Sequence, residues 1–237
     1  MTGQPPKFSL WLRELPYAAQ IIASPLRRVK TTALARSDRA PVLIFPGILS
    51  SDNSTSLLRR TLDAVGYHSH ASDMGFVTGI TREAFAKAEA RLMQVYRQEG
   101  RKIVLLGWSL GGLYSRVLAQ RHPECVAMVM TLGSPFSGNR RANNAWRLYE
   151  AINDHKVDAP KLTDDPSVKP PMHTVAVWSP IDGVIAPECA KGLPQERDVE
   201  VEVATKHFAF GAQRHSIETV VRLVSEHFPE KSGRLED

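Results

Sequence analysis

Apolar residues gather along the chain in short unbroken runs separated by longer segments of helical spacing. Pro41-Val42-Leu43-Ile44-Phe45, Ile103-Val104-Leu105-Leu106, Val126 to Leu132 and His173 to Trp178 read as buried strands. Tyr67 to Ser72 reads as a further short strand, and Val199-Glu200-Val201-Glu202-Val203 alternates as a strand with one wet face does. Between them, residues 54–65 carry Leu57, Leu58, Leu62 and Val65 at helical spacing. Residues 81–99 carry Phe85, Ala88, Leu92, Val95 and Tyr96, with Thr81 placed as N-cap. Further helices follow over Leu113 to Ala119, and over 215–228 with Ile217, Val220, Val221, Val224 and Phe228. Alternation of strands and helices from Pro41 onward predicts an α/β fold. Its sheet is mostly parallel, with helices on both faces.

Two segments depart from this rhythm. Residues 1–40 form an N-terminal helical extension ahead of the main domain, 41–237. Within it Phe8, Trp11, Leu12, Leu15, Ala18, Ala19 and Ile22 follow helical spacing, with Pro16 expected to kink or split the helix. Basic residues flank that stripe, which allows weak contact of residues 1–30 with a membrane surface. The alternative is a helix packed on the body, favoured because Glu14 and Pro16 interrupt the stripe. Residues 137–171 are polar and rich in Pro, Asp and Lys, with one helix-like stretch from Trp146 to Ile152, and are expected to form a small lid.

With 237 residues, 43% of them hydrophobic and 23% charged, the chain suits one soluble domain with a full core. Its net charge of +5 comes from basic residues scattered among acidic ones, so no nucleic-acid partner is expected. Cys125 and Cys189 lie far apart, and Cys125 opens an apolar strand, the setting of a buried free thiol. No metal-ligand spacing is readable and no cofactor is implied. The N-terminus lacks the pattern of a secretory signal, and no run is long enough to span a bilayer, so the expected location is the cytoplasm, with the inner face of a membrane as alternative. Oligomeric state leaves no mark in the sequence.

The chemistry is concentrated at Gly107-Trp108-Ser109-Leu110-Gly111, between a buried strand and an amphipathic helix. A G-x-S-x-G turn needs small residues around the serine because its backbone is tight, and the strain lifts the hydroxyl above the sheet. The N–H of Leu110, at the helix N-terminus, is placed to face a developing oxyanion.

In these features the chain resembles the α/β-hydrolase family, in particular its lipase and esterase branch. The resemblance extends over roughly 41–228 and rests on Pro41 to Ile48, Gly107 to Gly112, Thr131-Leu132-Gly133-Ser134-Pro135-Phe136, and the segments around Asp182 and His207. Where the family often has His-Gly after its first strand, this chain has Pro46-Gly47. The resemblance implies a triad in the chain order serine, acid, histidine. Asp182 is the acid expected, four residues past Trp178 in a turn relieved by Gly183. Asp154, Asp158, Asp164 and Asp165 fall in the insertion, and Asp198 opens a strand. His207, in the loop after the last strand, is the expected base, ahead of His215 at the start of the final helix. The family's pattern also makes Ile48 the second oxyanion donor beside Leu110, with Leu49 as the near alternative.

The reading that follows is a serine hydrolase cleaving carboxylic esters of a small molecule or lipid through an acyl-enzyme. Ser109 is the nucleophile, His207 the base and Asp182 its orienting acid. Leu49, Trp108, Phe136 and Val184 are expected to contact the substrate. The same triad could serve an acyltransferase or a thioesterase, and a noncatalytic binding protein on this scaffold is the remaining alternative.

Overall fold

The computed structural model describes residues 3–22, 26–28, 30 and 38–228. In chain order its helices and strands are α1 (Phe8–Leu12), α2 (Leu15–Ile22), β1 (Pro41–Phe45), α3 (Ser56–Ala64), β2 (His68–Ala71), α4 (Arg82–Glu99), β3 (Ile103–Trp108), α5 (Leu110–Arg121), β4 (Val126–Leu132), α6 (Trp146–Ile152), β5 (His173–Trp178), α7 (Pro187–Lys191), β6 (Val199–Glu202) and α8 (Arg214–His227). The strands form one sheet in the order β2-β1-β3-β4-β5-β6, and every neighbouring pair is parallel.

Successive side chains of a strand point to opposite faces, and both faces here are covered. Val42, Ile44, Val104, Leu106, Met128, Met130, Val175 and Val177 meet α3 and α8 through Leu58, Leu62, Ile217, Val220 and Val224. Leu43, Phe45, Ile103, Leu105 and Val129 face the other way, onto α4 and α5, against Phe85, Leu92, Val95, Tyr114 and Leu118. This two-sided burial is why the central strands are continuous apolar runs. β6, at the sheet edge, keeps Glu200 and Glu202 exposed and therefore alternates. Thr81 caps α4, its Oγ1 accepting from the N–H of Ala84 at 3.1 Å.

The N-terminal stripe is divided. The chain turns at Arg13 and Glu14, leaving Phe8, Leu12, Leu15 and Ala19 exposed while Trp11, Ala18 and Ile21 turn toward the body. Pro16 sits in the first turn of α2, where a missing N–H leaves no bond unmade. Ile22's side chain, and residues 23–25, 29 and 31–37 of the extension, lie outside the described residues. Among the described residues no helix is long and apolar enough to cross a membrane. Cys125 and Cys189 are both buried free thiols, and burial pushes them up to about 12 and about 11 respectively.

The crossing of β3 and α5 tolerates no side chain on either glycine of the turn. A Cβ at Gly107 would strike the carbonyl of Gly111 and the Cα of Gly112, and one at Gly111 would strike the carbonyl oxygen of Phe45. All of these obstacles are backbone, which cannot rotate away. Gly107→Ala is therefore expected to cost about 3 kcal/mol, the upper part of the overpacking range, and to lower Tm by roughly 6–12 °C in calorimetry. An unchanged Tm would show that helix and strand can separate at this point.

Candidate active site

Ser109 is the residue between β3 and α5, and it holds φ 53° and ψ −121°. Non-glycine residues rarely adopt positive φ, and the strain costs on the order of 1–3 kcal/mol. The conformation ends the strand and starts the helix within one residue, which aims the hydroxyl at the loops that follow β5 and β6. His207 begins a short 3-10 turn, His207–Ala209, in the second of these loops. Its Nε2 lies 3.0 Å from Ser109 Oγ, and its Nδ1 lies 2.8 Å from Asp182 Oδ2. All three residues are buried.

Each member is held from behind. Asp182 uses its other oxygen, Oδ1, to accept the N–H groups of Val184 at 2.7 Å and Ile185 at 2.8 Å, so the carboxylate cannot turn away from the ring. The Trp108 indole N–H donates to the His207 carbonyl at 3.1 Å. Ser179 Oγ donates to the Thr205 carbonyl at 2.6 Å and accepts the Thr205 N–H at 3.2 Å, joining the acid loop to the histidine loop. Burial alone would lower the His207 pKa. The Asp182 charge and hydrogen bond, with Glu14 adding to them, more than reverse it and hold the ring above 6.5.

Beside Ser109 lies a cavity of about 280 Å³ with apolar walls from Ile48, Ile80, Phe85, Leu113, Tyr114 and Val117. Phe136 and Leu110 also line it, and residues 164–167 close one side. That side is tied to α5. Arg116, 1% exposed, donates to the carbonyls of Pro166, Ser167 (3.2 Å), Val168 (3.3 Å) and Glu196 (2.8 Å). Its guanidinium stacks 4.1 Å from the centre of the Phe136 ring, and burial lowers its pKa to about 10. Gln120 donates to the carbonyls of Asp165 and Val168, and Arg121 grips Asp164 at 2.6 Å. Neither Glu14 nor Arg116 stands out as a site residue in the sequence. The signal for Glu14 was a carboxylate inside an otherwise apolar stripe.

Of the residues expected at the site, Ser109, Asp182 and His207 come together, and Ile48, Leu110 and Phe136 line the cavity. Leu49, Trp108 and Val184 do not. Leu49 is 40% exposed at φ 53°, and its N–H donates to the Val77 carbonyl at 2.7 Å. Trp108 points to the α3–α8 face of the sheet, opposite the cavity. Val184 packs with Ala142, Ile185 and Ala186 in a separate small cluster. The rival His215 is exposed at the start of α8.

Among the described residues, one group has the chemistry of a metal site. His68 Nδ1 and His70 Nε2 each lie 2.8 Å from Glu99 Oε1, and the three ligand atoms fall within 4.8 Å of one another. This cluster joins β2 to the end of α4 at the far edge of the sheet, apart from Ser109, Asp182 and His207, and the paired contacts with Glu99 account for its geometry.

Residues 40–156 match a family model described as the alpha/beta hydrolase fold. The chain belongs to the α/β-hydrolase fold family. Among solved structures, this α/β-hydrolase is similar to a monoacylglycerol lipase of Paleococcus ferrophilus, at 13% identity and a TM-score of 0.60 over 82% of this chain and 97% of that one. It is also similar to the naproxen esterase of Bacillus subtilis, at 14% identity and a TM-score of 0.55 over 90% and 97%. A thioesterase domain from the curacin biosynthetic pathway aligns at 13% identity and a TM-score of 0.56 over 81% and 93%. At these identities the likeness carries the fold alone. No curated protein matches the sequence significantly.

The raised His207 pKa has a signed consequence. Folding favours the protonated ring, so this contribution to stability is fully present below about 6.5 and is lost as pH rises through the higher folded-state value. Titration of the His207 ring by NMR, assigned with His207→Ala, should give a midpoint above 6.5. A midpoint below 6.5 would mean that burial outweighs Asp182.

Proposed function

We propose that this α/β-hydrolase cleaves carboxylic esters through a covalent acyl-enzyme. The observation that carries the reading is the continuous chain of hydrogen bonds from Ser109 through His207 to Asp182, beside an apolar cavity. A serine hydroxyl becomes a nucleophile when an imidazole takes its proton, and the carboxylate fixes the tautomer that leaves Nε2 free to do so. Ser109 Oγ attacks the ester carbonyl as its proton passes to His207. The tetrahedral intermediate collapses, the bond to the alcohol oxygen breaks, and His207 hands that oxygen the proton. Water then attacks the acyl carbon with His207 again as base, and Ser109 leaves with its proton restored.

The N–H groups of Leu110 and Ile48 are the donors we assign to the oxyanion. Leu110 opens α5, so its N–H is free of the helix's own bonding pattern and lies at the positive end of the helix dipole. Ile48 lines the cavity beside Ser109, and Leu49, the other candidate in this loop, has its N–H engaged by Val77. The cavity walls favour an apolar acyl group. The cavity volume of about 280 Å³ is near the lower end of small-molecule pockets, about 300–1,000 Å³, which points to short and medium acyl chains.

Ser109→Ala should retain the fold and lose roughly 10⁴- to 10⁶-fold in turnover of p-nitrophenyl esters. Across acetate, butyrate, octanoate and palmitate esters, kcat/KM of the parent should peak at butyrate or octanoate and fall at palmitate. A Ser109→Ala enzyme of near-parental rate would remove Ser109 as nucleophile. A rate that climbs through palmitate would show that the acyl chain lies outside this cavity. Product analysis with added alcohols or thiols separates hydrolysis from acyl transfer.

A further inference from the structure

Glu14 belongs to the N-terminal extension, yet it is 1% exposed and lies against both loops that carry the histidine and the acid. Its Oε1 accepts the N–H of Gly183 at 2.8 Å and the N–H of His207 at 3.0 Å, and its Oε2 accepts the N–H of Phe208 at 3.2 Å. Gly183 is the residue after Asp182, and His207 is the base itself. One carboxylate therefore gathers backbone donors from either side of the Asp182–His207 hydrogen bond.

We propose that Glu14 is a positioning residue of this active site, a buried carboxylate that staples the Asp182 loop to the His207 loop and so fixes the triad. The proposal rests on the serine-hydrolase reading given above. A carboxylate is the side chain suited to the place, since its two oxygens can accept three N–H groups, and bonds to an ionised acceptor are roughly twice as strong as neutral ones. Burying that charge is costly unless such donors meet it.

The surrounding packing seats the carboxylate. α1 lies so close to the acid loop that a Cβ on Gly183 would collide with the Leu10 carbonyl oxygen and come within 2.8 Å of the Trp11 nitrogen. Asn144 Nδ2 donates to the Pro6 carbonyl at 3.0 Å and the Gly183 carbonyl at 2.8 Å, holding the extension from the other side. α2 runs beside the His207–Ala209 turn, with Ile21 in the same cluster as Phe208. The turn at Arg13 and Glu14, which divides the apolar stripe, is what delivers the carboxylate inward.

Glu14 also places a second anion near the imidazole. The charged and titratable groups around His207 are then Asp182 on its ring, Glu14 at its backbone, Ser109 in front, and Lys206 next to it, whose Nζ donates to the Ile181 carbonyl at 3.0 Å. Asp182 and Glu14 both favour the protonated ring. Neutralising Glu14 should therefore lower the pKa of His207, an effect that a purely packing role would not produce.

The test compares Glu14→Gln and Glu14→Asp in the full chain. Glu14→Gln keeps the shape, removes the charge and turns an amide N–H toward a donor. It should lower kcat on p-nitrophenyl butyrate by about 10- to 100-fold with little change in KM, and shift the acid limb of kcat/KM to lower pH. Glu14→Asp keeps the charge but withdraws the carboxylate by one methylene, so kcat should fall while the acid limb stays nearer the parent's. If Glu14→Gln does not fold, Glu14→Asp alone decides: parental kcat with a lowered Tm overturns the proposal. Folded Glu14→Gln with parental kcat and an unmoved acid limb overturns it as well. A parent protein inert toward esters and toward fluorophosphonates defeats instead the serine-hydrolase reading, so the two failures are told apart.

Discussion

The arrangement depends on a buried contact of 2.8 Å between His207 Nδ1 and Asp182 Oδ2, which are 25 positions apart and carried by different loops. Apart from the short 3-10 turn His207–Ala209, neither stretch is regular structure. The fold answers by ending β5 and β6, adjacent parallel strands, at the same end of the sheet. The loops are then joined through Ser179 and Thr205, and the carboxylate is fixed by two N–H groups of its own turn. The placement of Asp182 and His207 is thus set by hydrogen bonds between side chains and the backbone of these loops. The strained serine completes it from the third direction, and the close contact of β3 with α5 leaves that strain no outlet.

The cavity follows from the same topology. Phe85 of α4 with Leu113, Tyr114 and Val117 of α5 forms one wall, and residues 164–167 supply another. Arg116 joins the two. A buried guanidinium that serves four carbonyls secures residues 166–168 to the helix that follows Ser109, so this wall and Ser109 share one support. In physical terms this favours a pocket of fixed shape beside Ser109, with walls suited to an apolar group.

Much of this was legible in the sequence, for physical reasons that can be named. Continuous apolar runs at β1, β3 and β4 reported burial on two faces, the alternation of β6 reported an edge, and Thr81 announced α4 because an N-cap is a local device. Ser109, Asp182 and His207, which the structure brings together, each follow a recognisable strand. Side-chain direction at the strand ends was not legible. Trp108 and Ser109 are neighbours in sequence, yet Trp108 faces α3 and α8 while the cavity lies on the other side. Long-range partners were equally hidden. Glu14 meets Gly183 and His207 across 169 and 193 positions, and in the sequence it is only a charge that interrupts an apolar stripe. Arg116 reads as a polar residue on an amphipathic helix until the insertion folds over it.

The central claim is that Ser109 is activated by His207 and is the atom that carries the acyl group. It is tested most directly by mass spectrometry of the protein after exposure to a fluorophosphonate, with peptide mapping and with His207→Ala as comparison. The account predicts one phosphonyl group per chain, located on Ser109 in the parent, with labelling slowed by orders of magnitude in His207→Ala. Phosphonylation at another residue, or equally fast labelling of Ser109 without His207, would contradict it.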